Sequence, residues 1–207
     1  MIIKSISVKS NSGTKQLLQY LFKKEEKLVP DNKQKLLVIR KNIRTRSIEK
    51  WVKEFKQNEA LRTHKRIDSV KAYHTILSFS NKDKEHITEK TLRSVAKEYM
   101  KFHGNNNLYI GTAHFDKDHI HLHLVSGGTK YLTGEANRLS RSQFHELKIS
   151  IDGYLQKRHP ELVNSLATRH GRSKATKEPV IDRRNGRTTQ KESLQKSLIL
   201  AFSKSRS

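Results

Sequence analysis

The pattern of apolar residues predicts an α+β fold: a mainly antiparallel sheet with helices packed against it, followed by a basic C-terminal segment and helix. Three observations carry this. Short alternating runs interleave with stripes of helical period along the first 160 residues. Two runs near the middle are joined by a turn too short for a crossover, so that pair is antiparallel. From Asn164 to Arg187 the periodicity lapses and seven Lys/Arg face only Glu178 and Asp182.

The elements follow in order. Residues 2–9 partly alternate and predict a first strand. Asn11-Ser12-Gly13-Thr14 supplies a turn and capping residues for a helix over about 14–26, with Leu17, Leu18 and Leu21 on its stripe. Pro30-Asp31-Asn32 breaks the chain before a short strand at 35–40. Ser47 caps a helix whose stripe is Ile48, Trp51, Val52 and Phe55. A strand spans 70–79, and Thr88 caps a helix bearing Leu92, Val95, Ala96, Tyr99 and Met100. Strands at 107–115 and 119–126 form the tight pair, with Gly127-Gly128 ending the second. A helix over 140–157 carries Phe144, Leu147, Ile151, Tyr154 and Leu155, and a last one over 189–203 carries Leu194, Leu198, Ala201 and Phe202.

The chain has 207 residues with 43 Lys/Arg against 20 Asp/Glu, a net charge of +23. Such a surplus calls for a polyanionic partner, and nucleic acid fits better than an anionic membrane because the cations are spread along the chain. No apolar run approaches the ~20 residues needed to cross a bilayer. The opening Met1-Ile2-Ile3-Lys4 reads as a strand and not as a secretion signal, so a cytoplasmic location is expected. There is no cysteine, which excludes thiolate nucleophiles, disulfides and Cys-ligated zinc. Any metal falls to His, Asp or Glu.

Eleven histidines are present, and four lie in His114-Phe115-Asp116-Lys117-Asp118-His119-Ile120-His121-Leu122-His123. On the second strand Ile120, Leu122 and Leu124 share one face, and His119, His121 and His123 share the other. The apolar set turns to the core, so the histidines are expected to face out. A two-residue turn at Lys117-Asp118 pairs His114 with His121 and Phe115 with Ile120, the latter on the buried face. Opposed Cβ atoms lie ~4.5–5.5 Å apart. His114, His121 and His123 thus converge from two strands, within reach of one divalent ion at His–metal distances of ~2.0–2.1 Å. Three neutral imidazoles also leave coordination positions open for a substrate oxygen. Asp116 shares the parity of His114 and is placed to orient a ligand imidazole.

The pattern His114-x-Asp116-(x)4-His121-x-His123 resembles the third motif of mobilisation (conjugative) relaxases, DNA-nicking enzymes of the HUH endonuclease class. Gly13-Thr14-Lys15-Gln16-Leu17-Leu18-Gln19-Tyr20-Leu21 is similar to that family's first motif, and Tyr73 to Ser80 to the strand before its central helix. The resemblance implies a relaxase-like fold for residues 1–160, with 161–207 an appended DNA-contacting segment. It makes Tyr20 the nucleophile that nicks single-stranded DNA at an origin of transfer, leaving a 5′-phosphotyrosine link and a free 3′-hydroxyl. It implies a divalent cofactor, Mg or Mn, and as further partners accessory DNA-binding proteins and a secretion coupling protein. Lys23, Lys24, Arg44, Arg46, Arg169 and Arg172 are the candidate DNA contacts.

Three other readings remain open at this point. A rolling-circle replication initiator uses the same chemistry but usually carries its tyrosine after the histidines. His119-Ile120-His121-Leu122-His123-Leu124-Val125 also spells the signature of histidine-triad nucleotide hydrolases, which would leave His114 and Tyr20 idle. A non-catalytic DNA-binding module is the third.

Overall fold

Strand pairing organises the computed structural model, which describes residues 1–28, 37–115 and 119–168, with side chains at 23–28 outside that description. Five strands, β1 (Ile2–Val8), β2 (Ile39–Lys41), β3 (Ala72–Ser78), β4 (Tyr109–His114) and β5 (His121–Gly127), form one sheet in the order β1-β3-β5-β4-β2. Every neighbouring pair is antiparallel. The β4–β5 register sets His114 opposite His121 and Thr112 opposite His123, the pairing expected from the turn.

Helices cover both faces of this sheet. On one side lie α1 (Asn11–Leu28) and α2 (Ile48–Ala60), and on the other α3 (Glu89–Gly104) and α4 (Arg141–Arg158). The period-two alternation of the strands therefore feeds two cores. Leu18, Leu21, Phe22, Trp51, Phe55, Ile110 and Val125 fill the first. Leu77, Leu92, Val95, Tyr99, Leu122, Leu124 and Ile151 belong to the second. Ser47, Thr88 and Ser140 cap their helices through side-chain oxygens, and Ser140 with Gln143 completes a capping box.

Four details depart from the sequence reading. The first helix starts at Asn11 because Ser10, not the following tetrapeptide, receives the Gly13 N–H on its hydroxyl. A short 3-10 helix, Asn81–His86, precedes α3 where no element was expected. Phe115 is 45% exposed instead of lying buried opposite Ile120, because the ladder stops at the His114–His121 pair. Packing also continues past residue 160. Leu162 and Leu166 join the second core, and the Asp152 carboxylate accepts from the Ala167 and Thr168 N–H groups at 2.5 and 2.7 Å. The expected helix at 189–203 lies outside the described residues.

Candidate active site

The histidine face of β4 and β5 is not open to solvent. The strand rule correctly separates it from the Leu122–Leu124 face, but α1 crosses above it. His114 and His123 are therefore buried, and His121 is half-exposed. A two-sided sheet turns an alternation that reads as core against solvent into core against core. Rings meet as the register requires: His114 and His123 have centroids 4.4 Å apart, His121 and His123 6.1 Å.

Packing fixes these rings from two directions. The Nε2 of His114 lies 3.1 Å from the Leu21 carbonyl of α1, and so donates to it. Nδ1 of His123 shares a hydrogen bond of 2.9 Å with Nε2 of His74 on β3, and the two rings stack at 5.2 Å. Among the described residues no three His, Asp or Glu side chains have donor atoms gathered for one ion. The rings converge, while these two nitrogens are turned onto protein partners. Burial pushes His74 down to about 4, and the neighbouring His114 adds to the effect, so the His74 ring is neutral at pH 7. Nothing local in the sequence marks His74 out, because the β3–β5 pairing that carries it beside His123 is nonlocal.

Tyr20 stands where a nucleophile has access to substrate. Burial of Leu18, Leu21 and Phe22 holds α1 against the sheet and leaves Tyr20 55% exposed. Its ring lies edge-on to His114, with centroids 6.3 Å apart and planes at 69°. Of the other tyrosines, Tyr99 and Tyr109 are buried, and Tyr73, Tyr131 and Tyr154 are half-buried. Tyr99 and Tyr154 are tied to Thr75 and Ser94. Tyr20 is thus the most accessible phenol of the six.

Of the candidate DNA contacts, Arg44 and Arg46 are exposed on the loop between β2 and α2. That loop is pinned. The Glu54 carboxylate accepts the Arg44 and Thr45 N–H groups at 3.1 and 2.9 Å, and the Trp51 indole donates to the Thr45 carbonyl at 2.9 Å. Burial alone would raise the Glu54 carboxyl, but the bonds from Thr45 and Arg44 outweigh it and hold it below the usual range. Trp51 packs on Phe22, two residues beyond Tyr20, which ties this loop to the turn of α1 that bears the phenol. Asp116, Arg169 and Arg172 lie outside the described residues, as do the side chains of Lys23 and Lys24.

Two solved structures share the fold. One is the MobM relaxase domain (MOBV; Mob_Pre) bound to 22 nucleotides of plasmid pMV158 oriT DNA in a Mn-bound crystal, with TM-score 0.52 and 12% identity over 76% of this chain and 86% of that one. The other is the same domain bound to 26 nucleotides of pMV158 oriT DNA, with TM-score 0.54 and 13% identity over 84% of this chain and 97% of that one. Among curated proteins none matches the chain. The family model described as "Relaxase: MobA/VirD2-like, nuclease domain" matches residues 20–159, a span running from Tyr20 through all three histidines. This chain therefore belongs to the MobA/VirD2-like relaxase nuclease-domain family.

Proposed function

We propose that this relaxase nicks one strand of DNA at an origin of transfer through the phenol of Tyr20, for the transfer of a conjugative plasmid or element. The single observation that carries the reading is the exposed Tyr20 ring set edge-on against His114, inside a cluster of imidazoles from β4 and β5. The Tyr20 oxygen bonds to a backbone phosphorus, and the bond to the 3′ oxygen breaks. The phenol proton is balanced by the proton gained by the departing 3′-hydroxyl. Because one phosphodiester replaces another, the ends can be rejoined after transfer.

His114, His121 and His123 are the residues that fit a divalent ion, Mg or Mn. Their chemistry is a three-imidazole set on facing strands, with His121 opposite His114. When bound, such an ion supplies charge stabilisation at the non-bridging phosphate oxygens. The protein's own part is positional. Leu21 holds His114 through its carbonyl, His74 holds His123, and the buried stripe of α1 fixes the rotation that presents Tyr20. Asp116 is assigned to orient a ligand imidazole. The net charge of +23 draws the strand in, with Lys23, Lys24, Arg44, Arg46, Arg169 and Arg172 as contacts. Residues 161–207 add a basic extension to the nicking domain. We place the reaction in the bacterial cytoplasm, with accessory DNA-binding proteins and a secretion coupling protein as partners. No helix among the described residues is long and apolar enough to cross a membrane.

The test uses a pool of random single-stranded oligonucleotides, incubated with the protein and Mn²⁺ or Mg²⁺ and run on a denaturing gel. A covalent adduct that Tyr20→Phe abolishes and chelator suppresses is expected, and sequencing its DNA gives the nick site. An adduct of undiminished yield in Tyr20→Phe refutes the assignment.

A further inference from the structure

A large cavity, about 820 Å³, lies away from the histidines, on the α3/α4 face of the sheet. Its floor is the free edge of the sheet, Ser5 and Ser7 of β1 with Tyr73 of β3. Its walls are the chain segments 62–70 and 134–141, the latter running into α4. Lys9, Arg62, Arg66, Arg138 and Arg141 line it against one carboxylate, Asp68. Arg62 is committed to the fold, donating to the Val70 carbonyl at 2.9 Å and pairing with Glu59 at 3.7 Å. Lys9, Arg66, Arg138 and Arg141 are exposed, and among the described residues no carboxylate pairs with any of them. Four like charges around one concavity repel one another unless an anion enters between them.

We propose that this groove is a second nucleic-acid site, which holds a few nucleotides of a single strand by their phosphates. A volume of this size suits a short run of a strand and not a double helix. Tyr73 on the floor and the exposed His64 on the wall offer ring faces for bases between cations that track a backbone, the composition of a sequence-tolerant single-strand channel. An acidic peptide would use the cations but leave those rings idle. The histidine site lies on the opposite face, so a strand engaging both turns around the β1 edge, where Lys4 is exposed. The choice of nucleic acid rests on the relaxase reading, but the groove's affinity does not depend on the chemistry of Tyr20.

The test compares two charge-matched triple variants, Arg66→Gln/Arg138→Gln/Arg141→Gln in the groove and Lys82→Gln/Lys84→Gln/Lys90→Gln elsewhere on the exposed surface. Binding of a fluorescein-labelled oligo(dT) of about 30 nucleotides is followed by anisotropy over a salt series. Losing three phosphate contacts should lower the salt slope by about 2 and weaken binding roughly 10- to 50-fold at ~0.15 M salt, against less than about twofold for the control. Equal losses in the two triples, or none in the groove triple, overturn the proposal. So does displacement of the oligonucleotide by poly-glutamate at equal charge concentration. If circular dichroism shows the groove triple unfolded, Arg138→Gln alone is measured, and its slope must fall by about 0.7. The anisotropy reads binding without any covalent step, so a failed adduct assay and a failed groove are separate results.

Discussion

Acid should unfold this protein in part through His103, at the end of α3. Its ring is 9% exposed, stacks on Tyr99 with centroids 5.3 Å apart, and shares a hydrogen bond of 2.7 Å with the Tyr109 hydroxyl. Burial pushes it down to about 4, against 6.5 for the free side chain. The unfolded chain therefore binds one more proton than the folded one between about pH 6.5 and 4, and stability falls as pH drops through that window. At ~1.36 kcal/mol per pKa unit, the full effect is about 3 kcal/mol below pH 4, of which about 2 kcal/mol is already lost at pH 5. His74, also near 4, contributes a similar loss. Urea denaturation at pH 7 and pH 5 should thus show the wild type losing about 4 kcal/mol and His103→Gln about half of that. The lost ring stacking costs the variant about 1–2 kcal/mol at both pH values and cancels from the comparison. If His103→Gln loses as much as wild type between the two pH values, burial does not hold this imidazole neutral and the reasoning fails.

Other expectations come from the same contacts. Tyr20→Phe keeps the ring of a largely exposed residue, so its unfolding free energy in urea should match the wild type within about 0.5 kcal/mol while adduct formation disappears. Gly111→Ala would place a Cβ 2.5 Å from Leu124 Cδ2 and 2.6 Å from the His123 carbonyl oxygen. That overpacking should cost roughly 1–3 kcal/mol and, by moving the β5 backbone at His123, weaken Mn²⁺ binding measured by calorimetry. Asp152→Ala takes the acceptor from the Ala167 and Thr168 N–H groups and the Thr168 hydroxyl, which should cost roughly 2–4 kcal/mol and expose the chain after residue 160 to limited proteolysis. Chelator should suppress adduct formation, and added Mn²⁺ should restore it.

The β4–β5 pair was legible because its signal is local. A polar turn between two alternating runs fixes the register, and the register fixes which imidazoles face each other. The caps at Ser47 and Thr88 were legible for the same reason, since each hydroxyl reaches an N–H only a few residues away. What the sequence hid was nonlocal. Nothing near Ile120–Leu124 says that a helix about 100 residues earlier lies over the opposite face, so that face reads as solvent-exposed although His114 and His123 on it are buried. His74 carries no local signal, because its partner is set by the β3–β5 ladder. The cations of the α3/α4-face groove come from three separate segments, and no run of sequence brings them together.

Two faces of one sheet divide the work of this domain. On the α1 face, packing places imidazoles where water is scarce, and there a ring's charge state and orientation are set by neighbours instead of solvent. His74 illustrates this: its neutral ring can exchange a hydrogen bond with His123, whereas a protonated ring would bring a positive charge into a buried cluster of imidazoles. The phenol needs the opposite environment, open to a polymer much larger than any closed pocket. The rotation of α1 meets both needs: with Leu18, Leu21 and Phe22 turned to the core, Tyr20 lies on the boundary, beside His114 on one side and solvent on the other. A helix fixed by its apolar stripe can hold this boundary to within one residue, since a one-residue slip rotates every side chain by about 100° and carries Tyr20 off His114. The same packing that stabilises the first core thereby sets the reach of the Tyr20 phenol, the nucleophile we propose.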